Sequence, residues 1–315
     1  MFPKVSIQIP TYNQELTICR AIESCICQDY QNLEIIVCDD ASTDGTFSAA
    51  KTYESGVVKV FRNEANLGRV GNYKRLFNEL VNGEWVVNLD GDDYYKNPKF
   101  ITNAIDAILR YQRKGHEIVF YQSAIEVVTP EETFKSIPKI PDDICLINGT
   151  DYFINFFSLN ARSHLTTIYN HFNASRVKFY EWDTLFSDLN SIAKLSLLGE
   201  VILDKRICGV WNIHSANESK KLEKYVEREI KSRTHVAEFA QPYIGTREAE
   251  KWKKKAIDEI YHNLLYKNLK SDILTRGDWL RLFRYFKNEP YYYKTALKYL
   301  ILFLIPKRRH IEKVV

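Results

Sequence analysis

Short apolar runs alternate with amphipathic stretches along the first 120 residues, and the two kinds differ in period. Val5-Ser6-Ile7-Gln8-Ile9 reads as a first strand, closed by Pro10. Leu16, Cys19, Ile22 and Ile26 then recur at helical spacing. A second strand, Leu33-Glu34-Ile35-Ile36-Val37-Cys38, ends in Asp39-Asp40. Ser42-Thr43-Asp44-Gly45-Thr46 makes a turn that can cap a helix reaching to about Tyr53. Val57 to Phe61 is a third strand, and a helix carrying Tyr73, Leu76, Phe77 and Leu80 follows a loop with Asn66, Gly68 and Gly71. Trp85 to Leu89 is a fourth strand and ends in Asp90-Gly91-Asp92-Asp93. Such alternation predicts a doubly wound, mainly parallel α/β sheet of Rossmann-like type.

After Pro98 the pattern predicts a helix to about Lys114, a strand over Glu117–Tyr121, and a Pro-rich loop from Thr129 to Pro141. Tyr152–Leu159 and Trp182–Leu198 read as helices. Val201–Leu203 and Gly209–Trp211 read as two short strands. Beyond Asn217 the pattern turns helical: Leu222, Val226, Ile230 and Ala237 share one face, and Trp252, Ala256, Ile260 and Leu264 another. The expected organisation is therefore an α/β unit over 1–217, divided into halves 1–98 and 99–217, then a helical region over 218–315.

Composition narrows the function. Hydrophobic residues make up 45% and charged residues 27%, which excludes a disordered chain. A net charge of +4 is too small to suggest a nucleic-acid partner. The six cysteines form no CxxC pair, so free thiols in a reducing cytosol are expected. The first strand starts within a few residues of Met1, leaving no room for a signal peptide, and no apolar run reaches the roughly 20 residues of a spanning helix. A cytoplasmic protein is expected.

The two acidic clusters carry the chemistry. Each follows the carboxyl end of a buried strand, where open α/β sheets bind ligands. Carboxylates that close repel unless a cation lies among them. Oxygen-only ligation selects a hard ion, Mg²⁺ or Mn²⁺, which grips phosphate oxygens. A metal-dependent enzyme acting on a nucleotide diphosphate is the resulting expectation.

Six segments in order resemble the family 2 inverting glycosyltransferases of the GT-A fold. They are Pro10-Thr11-Tyr12-Asn13; Asp39 to Thr46; Asn66-Leu67-Gly68 with Asn72; Asp90-Gly91-Asp92-Asp93; Glu181-Trp182-Asp183; and Trp211-Asn212-Ile213-His214-Ser215-Ala216-Asn217. The resemblance covers roughly residues 3 to 217. It implies that Pro10, Tyr12 and Asn13 line a nucleotide pocket, with Asp40 accepting a hydrogen bond from the base, usually uracil, and Asp39 fixing the loop. It implies that Asn66, Gly68, Arg69 and Asn72 flank the donor sugar and diphosphate, with Arg69 or Lys74 available to neutralise phosphate. Asp90 and Asp92 are the implied DxD pair, Asp92 on the metal and Asp90 near the ribose or a metal-bound water, while Gly91 lets the backbone approach the diphosphate. His214 is the implied third metal or diphosphate contact. Asn212 stands where many relatives carry Arg.

Two carboxylates compete for the role of acceptor base. Relatives carry a Glu-Asp pair here, whereas this chain has Glu181-Trp182-Asp183. One alignment puts Glu181 on the base and is preferred; sliding the match puts Asp183 there. The resemblance implies transfer of a sugar from a nucleotide donor, UDP-linked, to a glycan or lipid-linked acceptor in cell-surface polysaccharide synthesis. A sugar nucleotidyltransferase and a non-catalytic scaffold are the alternatives. The first lacks its Gly-rich phosphate loop, since Gln8-Ile9-Pro10-Thr11-Tyr12-Asn13 stands there; the intact Asp90 and Asp92 argue against the second. The tail, residues 291–315, has Tyr291-Tyr292-Tyr293, an apolar stretch from Ala296 to Ile305 and a basic cluster at Lys307, Arg308 and Arg309. It reads equally as an interfacial helix on the inner face of an anionic membrane and as a helix packed on the protein itself or on a second copy in a homodimer.

Overall fold

The computed structural model describes residues 2–214, 217 and 224–270, with side chains to 263. The tail from 291 to 315, with its membrane and packing alternatives, lies outside the described residues, as do Leu222 and the chain around the expected boundary at 218.

The strands β1 (Val5–Thr11), β2 (Leu33–Asp39), β3 (Val58–Arg62) and β4 (Trp85–Asn88) form the parallel half of the sheet. Helices α1 (Ile18–Ile26) and α2 (Thr46–Lys51) connect them, then α3 (Arg69–Arg75), which runs on through one π-helical turn, Leu76–Leu80. The continuous apolar run of β2 follows from burial on both faces: Ile35 and Val37 face one core cluster, Ile36 and Cys38 the other. Trp85 and Val87 join the first cluster and Val86 the second. Helices thus cover both faces, as the strand–helix alternation predicts.

The second half holds β5 (Tyr94–Tyr95), α4 (Phe100–Gln112), β6 (Ile118–Val128), β7 (Thr133–Ser136), β8 (Ile144–Asn148), α5 (Gly149–Ile154), β9 (Thr167–Asn170), α6 (His171–Arg176), α7 (Ser187–Ser196) and β10 (Glu200–Asn212). The strand order is β3-β2-β1-β4-β9-β6-β10-β5, with β7 beside β6 and β8 beside β10. The short β9 is antiparallel to both neighbours and joins the halves.

The structure departs from the sequence reading in several places; among them, the helix expected over 152–159 is α5, Gly149–Ile154, and Leu16 lies outside α1, exposed. The two short strands at 201–203 and 209–211 are one strand, β10, interrupted by register shifts at Asp204–Ile207–Gly209 where polar Lys205 and Arg206 interrupt the apolar run. The Pro-rich loop contains β7, whose exposed alternate residues hide it. The helix expected from Trp182 begins only at Ser187. The strand β9 went unread because four residues with two polar members carry no pattern of their own.

Helices α8 (Val226–Ile244) and α9 (Thr246–Lys270) meet at Gly245, whose φ of 78° suits glycine. Val236, Ala237 and Ala240 of α8 and Ala249, Trp252 and Ala256 of α9 are buried in the same cluster as Phe153 and Phe156. The Trp252 ring stacks on Phe153 at 4.7 Å. The described helices of the C-terminal region therefore share the core of the sheet rather than forming one of their own.

Candidate active site

Register sets the site. Thr11 pairs with Asp39 and Gln8 with Asn88, so the chain after β1, β2 and β4 emerges along one edge. The Asp40 amide donates to the Thr11 carbonyl (2.9 Å) and the Leu89 amide to the Gln8 carbonyl (3.0 Å), holding both acidic turns level. A cleft of about 810 Å³ opens there. Pro10, Tyr12, Asn13, Asp40, Asn66, Gly68, Arg69, Asn72, Asp90, Asp92, Asp183 and His214, all singled out in the sequence, line it.

Where the β1 and β2 turns meet, Asp40 Oδ1 accepts from the Leu67 amide (2.8 Å) and from Asn63 Nδ2. Asn66 Nδ2 donates to the Asp40 carbonyl (3.1 Å). Asn13 adopts φ 51°, and its Oδ1 accepts from the Thr43 amide (2.9 Å), closing the β1 loop onto the β2 loop. Tyr12 is 45% exposed and lines the cleft. Asp39 is fully buried, does not line the cleft, and accepts from the Ser42 amide (3.1 Å), with Arg62 at 3.4 Å. It shapes the turn. Asn72 is buried beneath the pocket, donating to the Cys38 carbonyl (2.8 Å).

The second acidic turn is crowded. Asp90 Oδ1 accepts from Tyr73 OH (2.7 Å) and Asn88 Nδ2 (2.9 Å). Burial, and then the Asp92 charge, push its pKa up from the ordinary carboxylate value. Asp93 turns inward to the Asn212 amide (2.8 Å) and is pushed up further by burial and by both neighbours. Asp92 Oδ2 meets His214 Nε2 at 2.9 Å and Asn217 Nδ2 at 3.4 Å. Asn212 Nδ2 donates to the Asp92 carbonyl (2.9 Å), so it braces the turn. A Cβ at Gly91 would meet the Gln14 and Thr11 side-chain oxygens, which would have to shift to admit it. Among the described residues no group of three or more His, Cys, Asp or Glu could hold a metal alone. The Asp92–His214 pair, set in an excess of buried carboxylate, instead suits a hard ion that takes one or two protein ligands and completes its shell with phosphate oxygens.

The two candidate bases are separated in space. Glu181 does not line the cleft. Its carboxylate meets Lys194 Nζ at 2.9 Å and His235 Nε2 at 3.4 Å. Burial works against its charge, but Lys194 and then His235 outweigh it and lower its pKa. Asp183 does line the cleft, 63% exposed, paired with Arg228 at 2.7 Å. Arg69 lines the cleft, where its Nη2 donates to the Thr184 and Leu185 carbonyls (both 2.8 Å), and Lys74 Nζ donates to the Glu181 carbonyl (3.0 Å).

The sequence of this site corresponds to a known family. The sequence model described as Glycosyl transferase family 2 matches residues 6–168. The chain belongs to that family. This family 2 glycosyltransferase is 39% identical over 167 residues to EpsE of Bacillus subtilis, a stretch covering 52% of this chain and 59% of EpsE. It is 36% identical over 101 residues to the UDP-Glc:alpha-D-GlcNAc-diphosphoundecaprenol beta-1,3-glucosyltransferase WfaP of Escherichia coli, covering 32% and 39%. Its matched stretch thus spans less than two thirds of either relative. Among solved structures, S. aureus TarS 1–349 in complex with UDP-GlcNAc superimposes with a TM-score of 0.63 at 18% identity, over 89% of this chain and 79% of that one. At that identity the likeness shows the GT-A fold.

Sequence reasoning missed a cleft residue of this glycosyltransferase, His164, and the buried polar network beneath it. His164, buried, meets Tyr180 OH at 2.8 Å and Asp188 Oδ2 at 3.9 Å, and burial lowers its pKa, favouring the neutral ring. Gln8 Nε2 extends the network to Tyr180 OH (2.9 Å) and Asn88 Oδ1 (3.2 Å). A polar Gln8 inside an apolar strand was the one signal in the sequence that something polar lies beneath the cleft.

Proposed function

We propose that the protein is an inverting glycosyltransferase moving a sugar from a UDP-linked donor to a hydroxyl of a lipid-linked or polysaccharide acceptor, with Asp183 as general base. The observation that carries this reading is the placement of Asp40, Asp90, Asp92 and Asp183 along one cleft. Three of them serve the donor. The fourth, Asp183, lines the same cleft and is left to serve the acceptor. WfaP, by name, takes UDP-glucose and a diphosphoundecaprenol-linked acceptor, which supports this donor and acceptor class, and TarS is seen with UDP-GlcNAc, which supports the donor class.

Asp40, its Oδ1 fixed by Leu67 and Asn63, reads the base edge through a charge-assisted hydrogen bond. Tyr12 offers the stacking face. Asp92 and His214, with Asp90 behind them, would hold Mn²⁺ or Mg²⁺, which supplies positive charge to the departing diphosphate. Asp183 takes the acceptor proton as the hydroxyl attacks the anomeric carbon. The bond from that carbon to the diphosphate breaks in the same step, and configuration inverts. The Asp183–Arg228 pair does not block this role. Both side chains are more than half exposed, and such a pair is worth only about 0–1 kcal/mol. What supports Asp183 over Glu181 is access: the Glu181 carboxylate is held in ion pairs outside the cleft.

Incubation with UDP-, GDP- and dTDP-sugars, Mn²⁺ and undecaprenyl-diphosphate-linked saccharides tests the reading. Free UDP released only with acceptor present is expected. Pyrophosphate release from UTP and a sugar 1-phosphate would point to a nucleotidyltransferase, and no nucleotide binding at all to a scaffold.

A further inference from the structure

The segment from Glu181 to Phe186 carries Asp183 and forms neither helix nor strand. It is entered through Tyr180, whose φ of 60° lies in the left-handed region. Its two ends are tied. The Tyr180 amide donates to Ser191 Oγ (2.9 Å), and the Phe186 amide to Glu229 Oε1 (2.7 Å). Between these ends, three backbone carbonyls face α3. Lys74 takes that of Glu181; Arg69 takes those of Thr184 and Leu185 through one nitrogen. These carbonyls bracket Asp183 on both sides.

We propose that Arg69 and Lys74 are positioning residues that aim Asp183 at the acceptor. The proposal rests on Asp183 being the base. Arg69 suits the task because its guanidinium is planar, always charged and tolerant of burial. Its ring-face contact with Tyr73, at 5.3 Å to the centroid, fixes the fork from below. The same short segment is tied at its start to the nucleotide pocket, because the Leu67 amide donates to Asp40 and α3 begins directly after Gly68 at φ 76°. One rigid piece, residues 67 to 74, therefore links the carboxylate that reads the base to the loop that deprotonates the acceptor. A misplacement of about 1 Å at a reacting group can cost on the order of 10²-fold in rate, so a small slackening of this grip is enough to register.

The test uses the full chain carrying Arg69→Gln, Arg69→Lys or Lys74→Met. Three quantities are measured: UDP affinity with Mn²⁺ by calorimetry, kcat and donor KM for transfer, and hydrogen exchange of the peptide spanning 180–186. For Arg69→Gln a kcat loss of roughly 10²-fold is expected, with UDP affinity and donor KM within about threefold and faster exchange confined to 180–186. Arg69→Lys should recover part of kcat, and Lys74→Met should show the same split more mildly, which keeps the test readable if Arg69→Gln fails to fold. A UDP affinity that falls in step with kcat would make Arg69 a phosphate ligand and overturn the proposal. Unchanged kcat with faster exchange, or unchanged exchange, would overturn it too. If Asp183→Asn retains full transfer, the base reading fails instead, while the exchange of 180–186 in Arg69→Gln still decides whether the grip exists.

Discussion

Replacing Glu181 by Gln separates a structural glutamate from a catalytic one. Lys194 is only 3% exposed, and its Nζ lies 2.9 Å from the Glu181 carboxylate, which is itself 27% exposed. Burial lowers the Lys194 pKa despite this partner, so the lysine bears the desolvation and the glutamate offsets it. An exposed pair is worth about 0–1 kcal/mol, and breaking a fully buried one costs about 3–5. This half-buried pair falls between, and removing the charge should cost about 2 kcal/mol. For a chain of this size that lowers the melting temperature by roughly 4 °C. The sign with pH follows from the depressed glutamate pKa. The contribution is present above the ordinary glutamate value of 4.5 and is lost as the pH falls through the lower folded-state value. Thermal melts at pH 7 should thus separate the variant from the parent, and the gap should narrow below pH 4.5. Transfer per folded molecule should stay within about threefold, because Lys74 and Arg69 grip the loop backbone and not this side chain. Parent-like melting combined with a loss of 10² or more in transfer would refute the reasoning and return the base to Glu181.

Asp183→Asn should keep UDP affinity and lose transfer by about 10²–10⁴-fold, measured by calorimetry and by UDP release in the presence of acceptor. Asp92→Asn should weaken UDP binding in Mn²⁺ and leave it unchanged in EDTA; equal affinity of parent and variant in both would remove Asp92 from the metal. Gly149→Ala should destabilise the fold by about 2 kcal/mol or more, read by denaturant unfolding, because its Cβ would overlap the Ser196 and Gly199 carbonyl oxygens, both backbone.

The sequence made the donor side more legible than the acceptor side, for a physical reason. Strands β1, β2 and β4 are buried almost throughout and rich in Val and Ile, so each reads as a core strand, and the residues after such a strand lie at the sheet edge. Asp40, Asp90 and Asp92 follow directly. The acceptor loop has no such frame. Glu181 and Asp183 sit on an irregular segment whose course is set by Lys194, Arg69 and Lys74, and none of these contacts has a periodic signature. Two residues apart in sequence, one carboxylate faces α7 and α8 and the other the cleft. The family resemblance makes Arg69 or Lys74 available to phosphate; the carbonyls that Arg69 meets lie more than a hundred residues away and leave no mark in the local sequence.

The four-residue strand β9 has a consequence for how the chain assembles during synthesis. Strand β4 pairs with β1 as soon as residues 85–88 emerge, yet its other edge waits for Tyr169 and Asn170, about 80 residues later. At about 5–20 residues per second that interval is roughly 4–16 s. Throughout it, the β4 edge at Val86 lacks its β9 partner and presents unpaired backbone N–H and C=O groups, the kind of edge that invites pairing with another chain. The first half of this enzyme is therefore born sticky, and residues 167–170 are the piece of translation that ends its dependence on whatever shields it.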